Sequence, residues 1–290
     1  MPGQGETMRR KLIADGGSTK VEWVLLSPGG VVEAHFSDEG LNALLATREE
    51  VEAAFAKARE RISEYDAPEE IYFYGAGCAT EEICRKIEDA LLHVWPEAKV
   101  SAASDLLGAA RSLLGHRRGI ACILGTGSNS CLYDGENIAM NVPSLGYVLG
   151  DEGSGAALGK RLVADVFKHQ LPETVRKRFL DKYGLTLSDI LDKTYRKSAP
   201  NRFLASLVPF LKENLWNPYI YSLVHQELRR FVKRNVAMYD GARSLPVCFT
   251  GSIASVFHDI LKDAMAKEGY KADTITKSPM DGLIAYHGEK

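Results

Sequence analysis

The sequence predicts an α/β protein built as two lobes, and three observations carry that expectation. One pattern occurs twice, about a hundred residues apart: an apolar strand, a turn of small and hydroxyl residues, a second strand and a tight hairpin. The length of 290 residues suits two domains that each bury a core of their own. Around the two copies, stretches with helical apolar spacing alternate with short apolar strands.

The first copy runs from the strand Lys11 to Ala14 through Asp15, Gly16, Gly17, Ser18, Thr19 and Lys20 to Val21–Leu26, the turn at Pro28, Gly29 and Gly30, and Val31–Phe36. Residues 48–64 place Val51, Ala54, Phe55, Ala58 and Ile62 at helical spacing with charges between them, which predicts an amphipathic helix. A strand over 71–74 runs into Gly75, Ala76 and Gly77; then come a helix carrying Ile83, Ile87, Ala90 and Leu91, a strand around 99–102 and a helix over 105–114. Together these predict a first lobe with a mixed sheet. The polar, turn-prone segment Gly115–Gly119 marks the boundary, giving lobes of 8–117 and 118–278 with a last helix over 279–290 packing back on the first.

The second copy comprises Ile120–Leu124, the loop Gly125, Thr126, Gly127, Ser128 and Asn129, the strand Ser130–Tyr133, a turn at Asp134–Glu136, and Asn137–Asn141. Helices are expected over 155–170, 172–183, 187–194, 201–213 and 218–238, then a strand over 246–250 and a helix from Gly251 to about Lys267. The final helix, 280–287, follows the start signal Ser278, Pro279.

A charged fraction of 26% and a formal net charge of -2 leave no basic excess to draw the chain to nucleic acid or an anionic membrane. The five cysteines, Cys78, Cys84, Cys122, Cys131 and Cys248, are scattered without C-x-x-C spacing, as expected of buried free thiols in a reducing compartment. The polar first residues lack the apolar core of a secretory signal, and no stretch approaches the ~20 apolar residues that cross a bilayer. A cytoplasmic location is expected, with Met1–Thr7 a disordered extension and the fold starting near Met8.

Glycines let a backbone approach an anion closely, and successive N–H groups with Ser or Thr hydroxyls donate to phosphate oxygens. Two such loops suggest two lobes gripping one polyphosphate. Asp15, at the end of an apolar strand beside one loop, is placed to face a hydrated Mg²⁺; its alternative role is to close the hairpin as an Asx turn. Lys20 offers a point charge to a phosphate or stands as a solvated strand residue. Asp105, at a strand-to-helix junction, reads equally as a general base or as a helix N-cap, a role that Ser104 could also fill. The run from Gly146 to Gly155 is dense in turn residues and holds Asp151 and Glu152, of which capping needs only one; the other is a candidate acceptor for sugar hydroxyls. Gly251 and Ser252, after a strand, open a helix as a nucleotide-cradling turn does.

Taken together, the segments 14–20, 124–129 and 150–154, with the tail 278–283, resemble the phosphate motifs and sugar loop of the N-acetylglucosamine kinase family. That family belongs with the BadF/BadG/BcrA/BcrD-type ATPases in the sugar kinase, heat-shock protein and actin superfamily. The resemblance covers residues 8–287 and implies a two-lobed, actin-like (ribonuclease H-like) ATPase fold with mixed five-stranded sheets and a central cleft. It implies that Asp15 faces Mg²⁺, that Asp105 is the catalytic aspartate, and that ATP lies against Gly16, Gly17, Ser18, Thr19, Lys20, Thr126, Gly127, Gly251, Ser252 and Ser255. The sugar would meet Asn42, Gly75, Gly127, Ser128, Ser144, Leu145, Gly146, Asp151 and Glu152. Leu145 stands where mammalian members carry a tryptophan, which removes a stacking platform for the sugar ring.

The expected activity is therefore ATP-dependent phosphorylation of an amino sugar, N-acetylglucosamine foremost, at its 6-hydroxyl. N-acetylmuramic acid and glucosamine are the alternative acceptors. No nucleic acid or membrane partner is expected, and a homodimer is the candidate assembly. A rival within the same fold is an ATPase activator of a radical dehydratase, which needs cysteines holding an iron–sulfur cluster. A second rival is a sugar-sensing regulator, which would carry a DNA-binding or zinc-binding segment not visible here.

Overall fold

The computed structural model describes residues 9–17 and 19–288. The expected extension Met1–Thr7, the start near Met8 and the phosphate-loop residue Ser18 lie outside the described residues. Contacts divide the chain into two units, one running to Gly115 and resuming at Pro279, the other spanning His116–Ser278.

The first unit opens with three antiparallel strands, β1 (Lys11–Gly16), β2 (Lys20–Leu26) and β3 (Val32–Glu39). There follow α1 (Arg48–Arg61), β4 (Glu70–Gly75), α2 (Glu81–Val94), β5 (Lys99–Ser104) and α3 (Asp105–Leu114). The sheet order is β3-β2-β1-β4-β5, with β4 parallel to both β1 and β5. The central strand β1 is apolar on both faces and fully buried at Leu12, Ile13 and Ala14. One face packs Leu12, Ala14, Trp23 and Phe73 against Phe55 of α1 and Leu91 of α2. Thr47 starts α1 through a capping box with Glu50. Pairing sets Gly16 beside Gly75 and Gly75 beside Ser104, so three parallel strands end level at their carboxyl ends. Glycine is required at two of those ends, because a Cβ would stand 2.8 Å from the Phe73 ring at Gly16 and 2.5 Å from it at Gly75.

The second unit repeats that plan. Strands β6 (Gly119–Leu124), β7 (Ser128–Tyr133) and β8 (Ile138–Val142) form the meander. Seven helices follow: α4 (Gly146–Leu149), α5 (Gly155–Phe167), α6 (Glu173–Tyr183), α7 (Leu187–Tyr195), α8 (Pro200–Ala205), α9 (Val208–Glu213) and α10 (Pro218–Arg234). The unit closes with β9 (Val247–Thr250), α11 (Ser252–Val256), α12 (His258–Lys267) and β10 (Thr274–Thr276). Its order, β10-β9-β6-β7-β8, matches the first sheet strand for strand, with β9 parallel to β6 and to β10. Last in the chain, α13 (Met280–Gly288) rejoins the first unit, where Met280 and Leu283 cover Ile13, Val24 and Tyr74. Gly282 permits that return, since a Cβ there would lie 2.2 Å from the Ser112 carbonyl oxygen of α3.

Several element expectations need correction. The helix expected over 201–213 is two helices, because Pro209 has no N–H for the Ala205 carbonyl and its ring would strike that group. The helix expected over 218–238 ends at Arg234, with a single tight turn over Val236–Met238. The helix opening at Gly251 breaks at Phe257, and nothing in the local sequence marks the break. Both β10, three residues flanked by charges, and α4, four residues in a glycine-rich loop, are too short for periodicity to register. All five cysteines are free thiols, and among the described residues no helix is long and apolar enough to cross a membrane.

Candidate active site

In the first unit the expected residues gather at the carboxyl ends of β1, β4 and β5. Asp15 lies on the β1 face opposite Phe73, directly across from Glu22 of β2. Glu22 is the lone charge in the run Val21–Leu26 and is only 7% exposed. Its carboxylate takes the Lys20 ammonium at 2.6 Å and meets His35 Nε2 at 2.9 Å. Burial, then the charges of Asp105 and Glu22, push the Asp15 carboxyl up to about 7, with Lys20 pulling it back. Sequence reasoning missed Glu22, although a single acid in an otherwise apolar strand was the available signal.

Asp105 is the first residue of α3, immediately after β5. The N-cap role falls to Ser104, whose Oγ accepts from the Leu107 N–H at 3.2 Å. Burial pushes the Asp105 carboxyl up to about 6, against backbone N–H bonds from Leu106 and from Asp105 itself. Asn42 reaches the same group of loops: Ala43 N–H donates to the Ala76 carbonyl at 3.0 Å, and Ala76 N–H donates to the Gly16 carbonyl at 2.6 Å. Gly77, with φ +87, lets the loop pass so close that a Cβ would sit 2.5 Å from Asn42 Oδ1. That Oδ1 also accepts from Leu44 N–H at 3.1 Å, so the amide oxygen is engaged in its own turn. Thr19 and Lys20 are exposed, and Gly17 N–H closes the turn onto the Lys20 carbonyl at 2.9 Å.

Asp15 presents a buried carboxylate of the kind a hydrated Mg²⁺ accepts, whereas both oxygens of Glu22 are engaged by Lys20 and His35. Among the described residues no three ligating side chains converge, so water and phosphate oxygens would complete its shell.

In the second unit the expected residues collect at the end of β6. Asp151 holds the loop Gly125–Ser128: its Oδ1 accepts from Ser128 N–H at 3.2 Å, and a Cβ on Gly127 would lie 3.0 Å from its Oδ2. Gly155 and Ala156, opening α5, donate to the carbonyls of Gly125 and Thr126 at 2.8 and 3.0 Å. Gly251, with φ +117, fits against the same strand end, where a Cβ would stand 2.3 Å from the Leu124 carbonyl oxygen. Ser252 begins α11, and Ser255 N–H bonds back to the Gly251 carbonyl at 3.1 Å. Thr126, Gly127, Ser128, Asp151 and the Gly251 turn therefore form one cluster.

The loop from Ser144 is pinned at its base, where Asp151 N–H donates to the Ser144 carbonyl at 3.3 Å. Leu145 sits at φ 53 and Asp151 at φ 57, both in the left-handed region that favours glycine. Gly146 follows at φ 72, and Leu145 points its side chain to solvent, 62% exposed. The two acids left open by the sequence have different partners. Glu152 pairs with Arg234 of α10, whereas burial pushes Asp151 up to about 6. Cys122 and Cys131 are 0% exposed inside the second sheet, far from the surface setting that a cluster shared between subunits requires.

No protein-family model and no curated protein matches the chain. Among solved structures it is similar to a candidate N-acetylglucosamine kinase from Porphyromonas gingivalis, with 42% identity and a TM-score of 0.93, covering 96% of this chain and 99% of that one. A candidate N-acetylglucosamine kinase from Chromobacterium violaceum shares the fold at 20% identity and TM-score 0.77, over 97% and 99% of the two chains. A ROK family glucokinase from Streptomyces griseus, solved with glucose and AMPPNP, does so at 14% identity and TM-score 0.56, over 96% and 97%.

Proposed function

We propose that this chain, which belongs to the N-acetylglucosamine kinase family and is an ATP-dependent sugar kinase, phosphorylates N-acetylglucosamine at its 6-hydroxyl. The observation that carries the choice of sugar is the 42% identity, over 96% of the chain, to a candidate N-acetylglucosamine kinase. Asp105 is the proposed base. Free of the capping role and held at about 6, its carboxylate is largely ionised at neutral pH yet still able to take a proton from the sugar hydroxyl.

Phosphoryl transfer asks a protein chiefly for positioning and charge compensation. In this reading the first unit contributes Asp105, Asn42 and Gly75 toward the sugar and Gly16, Gly17, Thr19 and Lys20 toward ATP. The second unit contributes Thr126, Gly127, Gly251, Ser252 and Ser255 toward ATP, and Ser128, Ser144, Leu145, Gly146 and Asp151 toward the sugar. Glu152 acts on the sugar loop through its pair with Arg234. Asp15 would hold Mg²⁺, which would supply positive charge to offset that of the phosphate groups. The Asp15 carboxylate gains from such a cation because two neighbouring acids and burial oppose its charge. A coupled assay of ADP release tests the reading: release should depend on N-acetylglucosamine and on Mg²⁺, and sugar-independent release at the same rate would refute it.

A further inference from the structure

Behind the sugar loop, the second unit holds a cavity of about 220 Å³ that the kinase reading leaves unused. It is lined by Gly150, by Ala157, Lys160, Arg161 and Ala164 of α5, and by Glu227 and Arg230 of α10. Arg161 and Arg230 thus meet the Glu227 carboxylate, and Lys160 lines the same cavity. Lys160 Nζ donates to the Tyr147 carbonyl at 3.0 Å; Arg161 donates to Gln226 Oε1 at 2.6 Å and to the Leu223 carbonyl at 3.4 Å; Arg230 donates to Glu227 at 3.0 Å. Each keeps further N–H donors, and guanidinium forks match the oxygens of phosphate and carboxylate. Ala157 and Ala164, one turn to either side of the cations, supply the room.

Glu227 links this cavity to the loop above it. It is 1% exposed and accepts from Gly153 N–H at 3.4 Å, directly after Asp151 and Glu152. Its other oxygen faces Arg230, with Arg161 at 4.0 Å. A buried carboxylate depends on such partners, and an anion sharing the two arginines removes part of that compensation.

We propose that the cavity between α5 and α10 is an anion site for a phosphate or carboxylate group, and that its occupancy loosens residues 151–153 through Glu227. Its bearing on sugar affinity rests on the kinase reading; the anion site and the loosening do not. Inorganic phosphate is the probe. Calorimetric titration should show binding that Arg230→Gln and Lys160→Gln each weaken about tenfold, the loss expected for one charge-assisted hydrogen bond. Hydrogen exchange at the Gly153 amide should speed up with phosphate in the wild type and stay unchanged in Arg230→Gln. Phosphate affinity equal in wild type and both variants would place the ion elsewhere and overturn the site. Binding that leaves Gly153 exchange untouched would overturn the coupling. Because neither readout uses sugar or turnover, failure of N-acetylglucosamine phosphorylation would contradict the kinase reading and not this one.

Discussion

Asp105 and Asp15 sit on the same rim of one sheet, yet burial and charge prepare them for different work. Asp105→Asn should lose ~10²–10⁴-fold in turnover, the usual worth of a general base. Ser104 keeps the α3 cap in that variant, and removing a carboxylate whose charge burial opposes should raise its thermal midpoint above pH 6 rather than lower it. The wild-type kcat/KM should fall on the acid side of about 6, where Asp105 protonates, and a flat profile down to pH 5 would remove it as the base. Asp15 binds its proton more tightly folded than unfolded, so its contribution to stability is present in acid and is lost as pH rises through about 7. Asp15→Asn should therefore raise the melting temperature at pH 8 and barely change it below about pH 3.5, while abolishing Mg²⁺-dependent turnover. A variant that melts lower at pH 8 would contradict the like-charge description of Asp15, Glu22 and Asp105. At this scale the sequence made both aspartates legible because each ends a strand. Glu22 escaped because its one local signal, a lone acid in an apolar strand, does not show what that acid faces, which the cross-strand pairing with Asp15 decides.

The loops at the strand ends depend on what packs behind them. Gly251 is required twice over, by its φ of +117 and by the Leu124 carbonyl oxygen 2.3 Å from any Cβ. Gly251→Ala should cost about 2 kcal/mol or more in a denaturant titration and weaken ATP binding, because β6 and the turn must separate. Arg234 lies outside the proposed sugar contacts but holds Glu152 beside Asp151. Arg234→Gln should raise the KM for sugar several-fold with little change in kcat, and a pure kcat loss would assign it a different role. Most helices and strands were readable from apolar spacing, since each buries one stripe or one face. The breaks were not. Only the split at Pro209 carried a written signal; β10 owes its existence to its pairing with β9, distant in sequence, and α4 is one short turn in a glycine-rich loop.

Over the whole molecule, the hairpin repeat visible in the sequence is the near half of a larger one. Both sheets continue from the meander into two parallel strands in the same order. The sequence displayed only the meanders because hairpin turns are local, whereas β4, β5, β9 and β10 join by crossovers whose helices differ between the units. Each unit thereby presents a glycine-bearing loop at the carboxyl end of its central strand, with Asp15 at one and Thr126 near the other. A loop of that kind in each unit suits a phosphoryl transfer enzyme; in the proposed reading, the choice of acceptor would fall to Asn42, Asp151 and the Leu145 loop. The most direct measurement is a competition: equimolar N-acetylglucosamine, N-acetylmannosamine, glucosamine and glucose with limiting MgATP, the products identified by ³¹P and ¹H NMR. Product ratios then give relative kcat/KM without separate assays. N-acetylglucosamine 6-phosphate should dominate; glucose 6-phosphate as the main product, or free phosphate with no phosphosugar, would contradict an amino-sugar kinase.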